Sequence, residues 1–141
     1  MDASPWETIA HESAHLAACV YLNLPIRGAS VVTRGVLRGE MKYAADDIDA
    51  LIVAVTPLVC EDDIPKYPIS WPLTADELTL ARLITKLGMP ESHYRGLVET
   101  ARMITETDTF KRARDAFDAE FRLAPDIAAE RAATIAQEAR S

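Results

Sequence analysis

The sequence reads as a mainly α-helical fold with one small antiparallel β-hairpin, and three observations point there. Helix-start chemistry recurs at Ser4-Pro5-Trp6-Glu7, at Asp46 or Asp47, and at Thr74-Ala75-Asp76-Glu77, each time ahead of an apolar run of helical period. One stretch is β-branched, Ile26 to Thr33, and Gly35 and Gly39 follow it before a short alternating segment. From Glu91 to Ser141 the pattern is amphipathic at helical spacing.

The first helix is expected to open with Ser4 as N-cap. Pro5 then takes the first helical position, where a missing N–H costs nothing, and Glu7 closes the capping box. It runs to about Leu22, and Asn23-Leu24-Pro25 ends it, because the residue before a proline is pushed out of the helical region. Leu16 to Leu22 carries no charge, so this segment is expected to be buried on several sides. The strand Ile26–Thr33 turns near Gly35 and Gly39 and returns as Glu40-Met41-Lys42-Tyr43. The second helix sets Ile48, Leu51, Ile52, Val55, Leu58 and Val59 on its buried side, and Pro57 is expected to kink or break it.

Asp62 to Pro72 contains Pro65, Pro68 and Pro72 with no helical period, and reads as a loop. The third helix starts at the Thr74 capping box and stops at Gly88 and Pro90. Two or three amphipathic helices follow, broken near Thr107-Asp108 and Ala124-Pro125-Asp126. With 141 residues and no repeat or low-complexity linker, the chain is expected to be a single domain, 1–141. Residues 1–89 carry its candidate chemistry and residues 90–141 form a helical tail.

Composition narrows the function. A net charge of −7 argues against a nucleic-acid partner, which would call for a basic face. The longest strongly apolar run, Leu51 to Cys60, is too short to span a membrane and holds Thr56 and Pro57. The N-terminus has no basic region followed by an apolar core, so a cytoplasmic protein is expected. Cys19 and Cys60, isolated in apolar helical contexts, are read as reduced core residues.

The chemistry concentrates in His11-Glu12-Ser13-Ala14-His15, which holds two of the three histidines. Positions i and i+4 lie on one helix face, so both imidazoles can converge on one metal ion. Glu12, beside the first, can then reach a water molecule at that ion. Two neutral nitrogen ligands, an open coordination position and a proton-accepting carboxylate are what a zinc peptidase needs. Thr8, His11, His15 and Ala18 share one face, where small residues leave room for a metal and a substrate.

A third ligand is required. His93 falls in a polar stretch after Pro90 and reads as a surface residue. Glu61, Asp62 and Asp63 follow the second helix, where acids are electrostatically disfavoured, and Asp76 lies in the first turn of the third helix, where acids are favoured. On residue chemistry alone Asp76 and Glu61 are equal candidates.

Ile9-Ala10-His11-Glu12-Ser13-Ala14-His15-Leu16-Ala17-Ala18, then Leu22-Asn23-Leu24-Pro25 and the strand Arg27 to Thr33, resembles the start of the zinc-peptidase domain of the FtsH-type membrane AAA proteases. That family has His-Glu-Ala-Gly-His, an apolar helix, a Leu-Pro turn and a hairpin. Thr74-Ala75-Asp76-Glu77-Leu78-Thr79-Leu80-Ala81-Arg82-Leu83, with Gly88-Met89, is similar to the family's helix bearing its aspartate zinc ligand. The resemblance covers most of Ile9 to Met89. It implies an FtsH-peptidase-like zincin fold, Zn2+ held by His11, His15 and Asp76, and Glu12 as general base.

The chain departs from the family at several places. Ala14 stands where the family usually has glycine, and its methyl group is expected to crowd the site. Val55-Thr56-Pro57-Leu58-Val59-Cys60-Glu61 keeps only the acidic end of the family's Ala-Gly-Arg-x-Ala-Glu-Glu run, and the stretch from His15 to Asp76 is shorter. No Walker A loop and no membrane anchor occurs in the sequence.

The expectation is therefore a zinc-dependent endopeptidase acting on flexible polypeptide segments, or on segments presented by a separate partner protein or ATPase. The hairpin between Arg27 and Tyr43 offers an edge for an extended substrate. Two alternatives stand beside this reading. One is a regulatory metallopeptidase cleaving a single partner. The other is a non-catalytic zinc-containing interaction module with the helical tail as its partner surface.

Overall fold

The computed structural model describes the backbone of residues 5–33, 36–43 and 45–141, and the side chains of these except at 5, 6, 32, 33 and 36–43. In chain order the elements are α1 (Pro5–Tyr21), β1 (Ile26–Thr33), β2 (Val36–Tyr43), α2 (Asp47–Cys60), α3 (Ala75–Leu87), α4 (Glu91–Thr105), α5 (Asp108–Leu123), β3 (Asp126–Ala128) and α6 (Ala129–Arg140). The mainly helical class with a small antiparallel sheet is as the sequence predicts.

The helices open where a side chain offers an acceptor to the unpaired amides of the first turn. Asp46 accepts from Asp49 N at 2.9 Å to open α2, and Thr74 Oγ1 accepts from Glu77 N at 3.1 Å to open α3. Thr107 Oγ1 does the same for Phe110 N at 3.2 Å and opens α5. The expected cap Ser4 lies outside the described residues. Helix α3 ends as predicted at Gly88, which takes the left-handed conformation (φ 60°) while Met89 N donates to Ile84 O at 3.0 Å.

The sheet is larger than the sequence suggested. Its order is β2-β1-β3, with β1 antiparallel to both neighbours and therefore interior. The return strand begins at Val36, four residues before the predicted Glu40, so Gly39 lies within β2 rather than in a turn. Gly35 falls outside the described residues. Around Asp126, where β3 lies, the sequence predicts only a helix break. The three residues of β3 are too short to show alternation, and only Ile127 among them is buried. Pairing shifts register between Ile26 and Gly28, and Gly28 takes φ 147°, a conformation side chains other than glycine rarely adopt.

One apolar core runs from Ile9 to Ala139 and draws on residues from all six helices. Helix α1 packs most extensively on α5, and α2 packs against α1, α3 and α4. The amphipathic stripes supply the contacts: Tyr94, Leu97, Val98, Ala101 and Ile104 from α4, and Phe110, Ala113, Phe117 and Phe121 from α5. Burying the leucine, valine, isoleucine and phenylalanine side chains among them contributes about 1.5–3 kcal/mol each. The tail is also tied down by polar contacts. Arg140 Nε donates to Val20 O at the end of α1 (3.2 Å), and Arg112 donates twice to Ala139 O.

Ile48, placed on the buried side of α2, is exposed, because it lies in the first turn before the packed segment begins. From Leu51 to Leu58 every residue is buried, so α2 is enclosed all round rather than one-sided. The break at Pro57 does not occur, and α2 runs through it to Cys60. Cys60 is exposed at that helix end, and only Cys19 is a core thiol; both are free. Among the described residues no helix is long and apolar enough to cross a membrane.

Candidate metal centre

His11 and His15 stand one turn apart on α1, with ring centroids 4.9 Å apart and the rings nearly perpendicular. His15 is buried and His11 half-buried. Their Nε2 atoms meet a single oxygen, Asp76 Oδ2, at 2.6 Å from His11 and 3.0 Å from His15. The other nitrogen of each ring is also engaged. His15 Nδ1 donates to Val53 O at 2.8 Å, and His11 Nδ1 lies 2.6 Å from Glu61 Oε2.

Each partner is delivered by an identifiable feature of the chain. Asp76 is the second residue of α3, and Thr74 already supplies the cap, so the Asp76 carboxylate is free to turn towards α1. The loop before α3 is pinned by Tyr67 Oη donating to Met89 O (2.8 Å) and Tyr94 Oη donating to Pro65 O (2.6 Å). Glu61 stands at the C-terminal end of α2 and reaches His11, while Asp62 and Asp63 remain exposed. His93 is exposed on α4, as the sequence suggested.

The two acids rated as equal candidates thus both meet His11, on opposite nitrogens. Ala14 is buried in the core, where its methyl group does not keep the two histidines from Asp76. Ala18, expected to leave room at the site, packs instead into a small apolar cluster with Cys19 and Val53.

Tautomer chemistry tests whether a metal fits. A backbone carbonyl only accepts, so His15 Nδ1 carries hydrogen and the lone pair of the neutral ring lies on Nε2. Glu61 imposes the same assignment on His11. Two lone pairs and a carboxylate oxygen then converge on one place, an arrangement that a cation there relieves. Donors of this kind, two imidazoles and a carboxylate, suit zinc, and partners on the far ring nitrogens orient metal-binding histidines in the same way.

Without a metal the cation between His11 Nε2 and Asp76 Oδ2 is a proton, which zinc would have to displace. Burial disfavours a charged His11, yet the hydrogen bonds and charges of Asp76 and Glu61 outweigh it and raise its pKa to about 10. Burial also works against ionised Asp76, but its interactions with His11 and His15 hold its carboxyl well below the usual carboxylate range.

Glu12 differs from the other acids of the site. It is buried, and burial pushes its carboxyl above the usual range; the charges of His15 and His11 pull the other way, and Asp76 adds to the rise. Among the described residues its Oε2 has no hydrogen-bond partner. Ligand atoms of His11, Glu12 and His15 lie within 4.8 Å of one another. Asp76 Oδ2 stands 2.6 Å and 3.0 Å from the two Nε2 atoms.

Sequence reasoning missed Val53, because a backbone acceptor leaves no mark in residue type. Pro57, four residues on, was the available signal. No known protein family, curated protein or solved structure matches the chain.

Proposed function

We propose that the chain is a zinc-dependent endopeptidase in which His11, His15 and Asp76 hold the metal and Glu12 manages the proton. The observation that carries this reading is the convergence of both Nε2 atoms on Asp76 Oδ2 beside buried Glu12, whose Oε2 has no hydrogen-bond partner among the described residues. Burying Glu12, Ser13 and His15 in the helix that packs against most of the fold is costly, and apolar residues would serve packing better. Perturbed titratable groups gathered in this way characterise functional sites.

A zinc ion held there supplies a Lewis acid that polarises a peptide carbonyl and acidifies a water molecule. Glu12 Oε2 would then be the group that holds the proton of an attacking water and returns it to the departing amine. Glu61 and Val53 O keep the two imidazoles oriented throughout. A substrate strand would lie along β2, the longer of the two outer strands, since β1 is paired on both sides and β3 has only three residues. Trp71 and Leu73, both strongly exposed and within five residues of Asp76, offer apolar surface to substrate side chains.

The test is cleavage of an unfolded polypeptide such as casein, and of a peptide library, by the zinc-loaded and the chelated protein. Turnover is expected with zinc, lost on chelation and restored by zinc. If the fully loaded protein cleaves no unfolded substrate, the endopeptidase reading fails and a non-catalytic zinc module replaces it.

A further inference from the structure

We propose that Pro57 is a positioning residue for His15: lacking an N–H, it leaves Val53 O to the imidazole and so fixes which ring nitrogen faces Asp76. This rests on the metal-centre reading above and adds to it a residue four positions along α2 from the acceptor.

In an uninterrupted helix the amide of residue 57 donates to the carbonyl of residue 53. Proline has no such hydrogen, and its ring crowds the carbonyl four residues back, tilting it out of the helix. Val53 is fully buried, and a buried carbonyl without a partner is costly. Its partner is His15 Nδ1–H at 2.8 Å, across the close α1–α2 contact where Ala18 and Cys19 pack on Val53. The bond serves both groups. Val53 O is satisfied, and His15 is held with its Nε2 lone pair towards Asp76 Oδ2.

Pro57 is itself fully buried inside a helix that it does not end. A carbonyl has two lone pairs, so an amide at position 57 would compete with His15 and draw Val53 O back towards the helix axis without excluding the ring.

The experiment uses the full chain with Pro57→Ala and Pro57→Val. Both restore the amide, one with a smaller and one with a larger side chain, so packing effects differ and the amide effect is shared. Zinc affinity is measured by competition with a chelator, and the His15 ring nitrogens by 15N NMR on metal-free protein. Both variants are expected to bind zinc about 10- to 100-fold more weakly and to show a displaced His15 Nδ1 signal.

Wild-type affinity with an unmoved signal in both variants would overturn the assignment. So would weaker binding with an unmoved signal, or loss of the fold in both, since either makes Pro57 a packing residue only. If the wild type itself binds no zinc, the metal-centre reading fails, while the His15 signals still decide whether Pro57 directs the ring.

Discussion

Glu12→Gln is expected to lower peptide cleavage by about 10²- to 10⁴-fold while zinc content and fold stay unchanged. Glutamine matches glutamate in size and occupies the same buried volume, but cannot accept a proton at neutral pH. Among the described residues Glu12 Oε2 has no partner to lose, and a neutral amide is cheaper to bury than a carboxylate, so the variant should fold at least as well. The deficit belongs in kcat with little change in KM, since the missing interaction is one made in the transition state. Steady-state kinetics on one fluorogenic peptide, with metal analysis of the same samples, decides it. A variant that keeps wild-type turnover removes Glu12 from the mechanism.

His11→Ala and His15→Ala should each abolish tight zinc binding, where the wild type holds about one zinc per chain. A ligand present at 1,000 times its dissociation constant stabilises the folded state by about 4 kcal/mol, so zinc should raise the wild-type Tm and leave that of the variants unmoved. The two variants should also differ from each other. His15 is the more buried and links α1 to α2 through Val53 O, so its loss leaves a buried carbonyl unpaired at a further cost of about 1–3 kcal/mol. His11 is half-buried, and its loss frees Glu61 towards solvent and leaves Asp76 on His15 alone. Zinc content and thermal melts with and without metal report both effects. A double variant with wild-type zinc affinity would show that the metal lies elsewhere.

Much of this arrangement was legible because its signals are local. Capping chemistry at Asp46 and Thr74 placed the starts of α2 and α3, and the spacing of His11 and His15 placed both rings on one helix face. Glu61 and Asp76 stood out as candidate acids, but residue type could not rank them. Their ranking depends on which nitrogen of His11 each one meets, and that is set by how α2 and α3 pack on α1.

What was illegible depends on contacts distant in sequence. Three residues, Asp126 to Ala128, form a strand only because Gly28 to Ser30 lie beside them. The stripe of α5 announced a buried face without saying that α1 covers it. Pro57 read as a helix breaker because the donor that compensates it, His15 Nδ1, comes from another helix. Ile48 fitted the helical period, yet it precedes the turn at which packing begins.

The most direct measurement is an anomalous-difference map at the zinc absorption edge from crystals of the zinc-loaded chain. One peak is expected within about 2.0–2.2 Å of His11 Nε2, His15 Nε2 and an Asp76 carboxylate oxygen, with Glu61 still on His11 Nδ1. A peak bound by Glu61 in place of Asp76, or no peak at the two histidines, would contradict it.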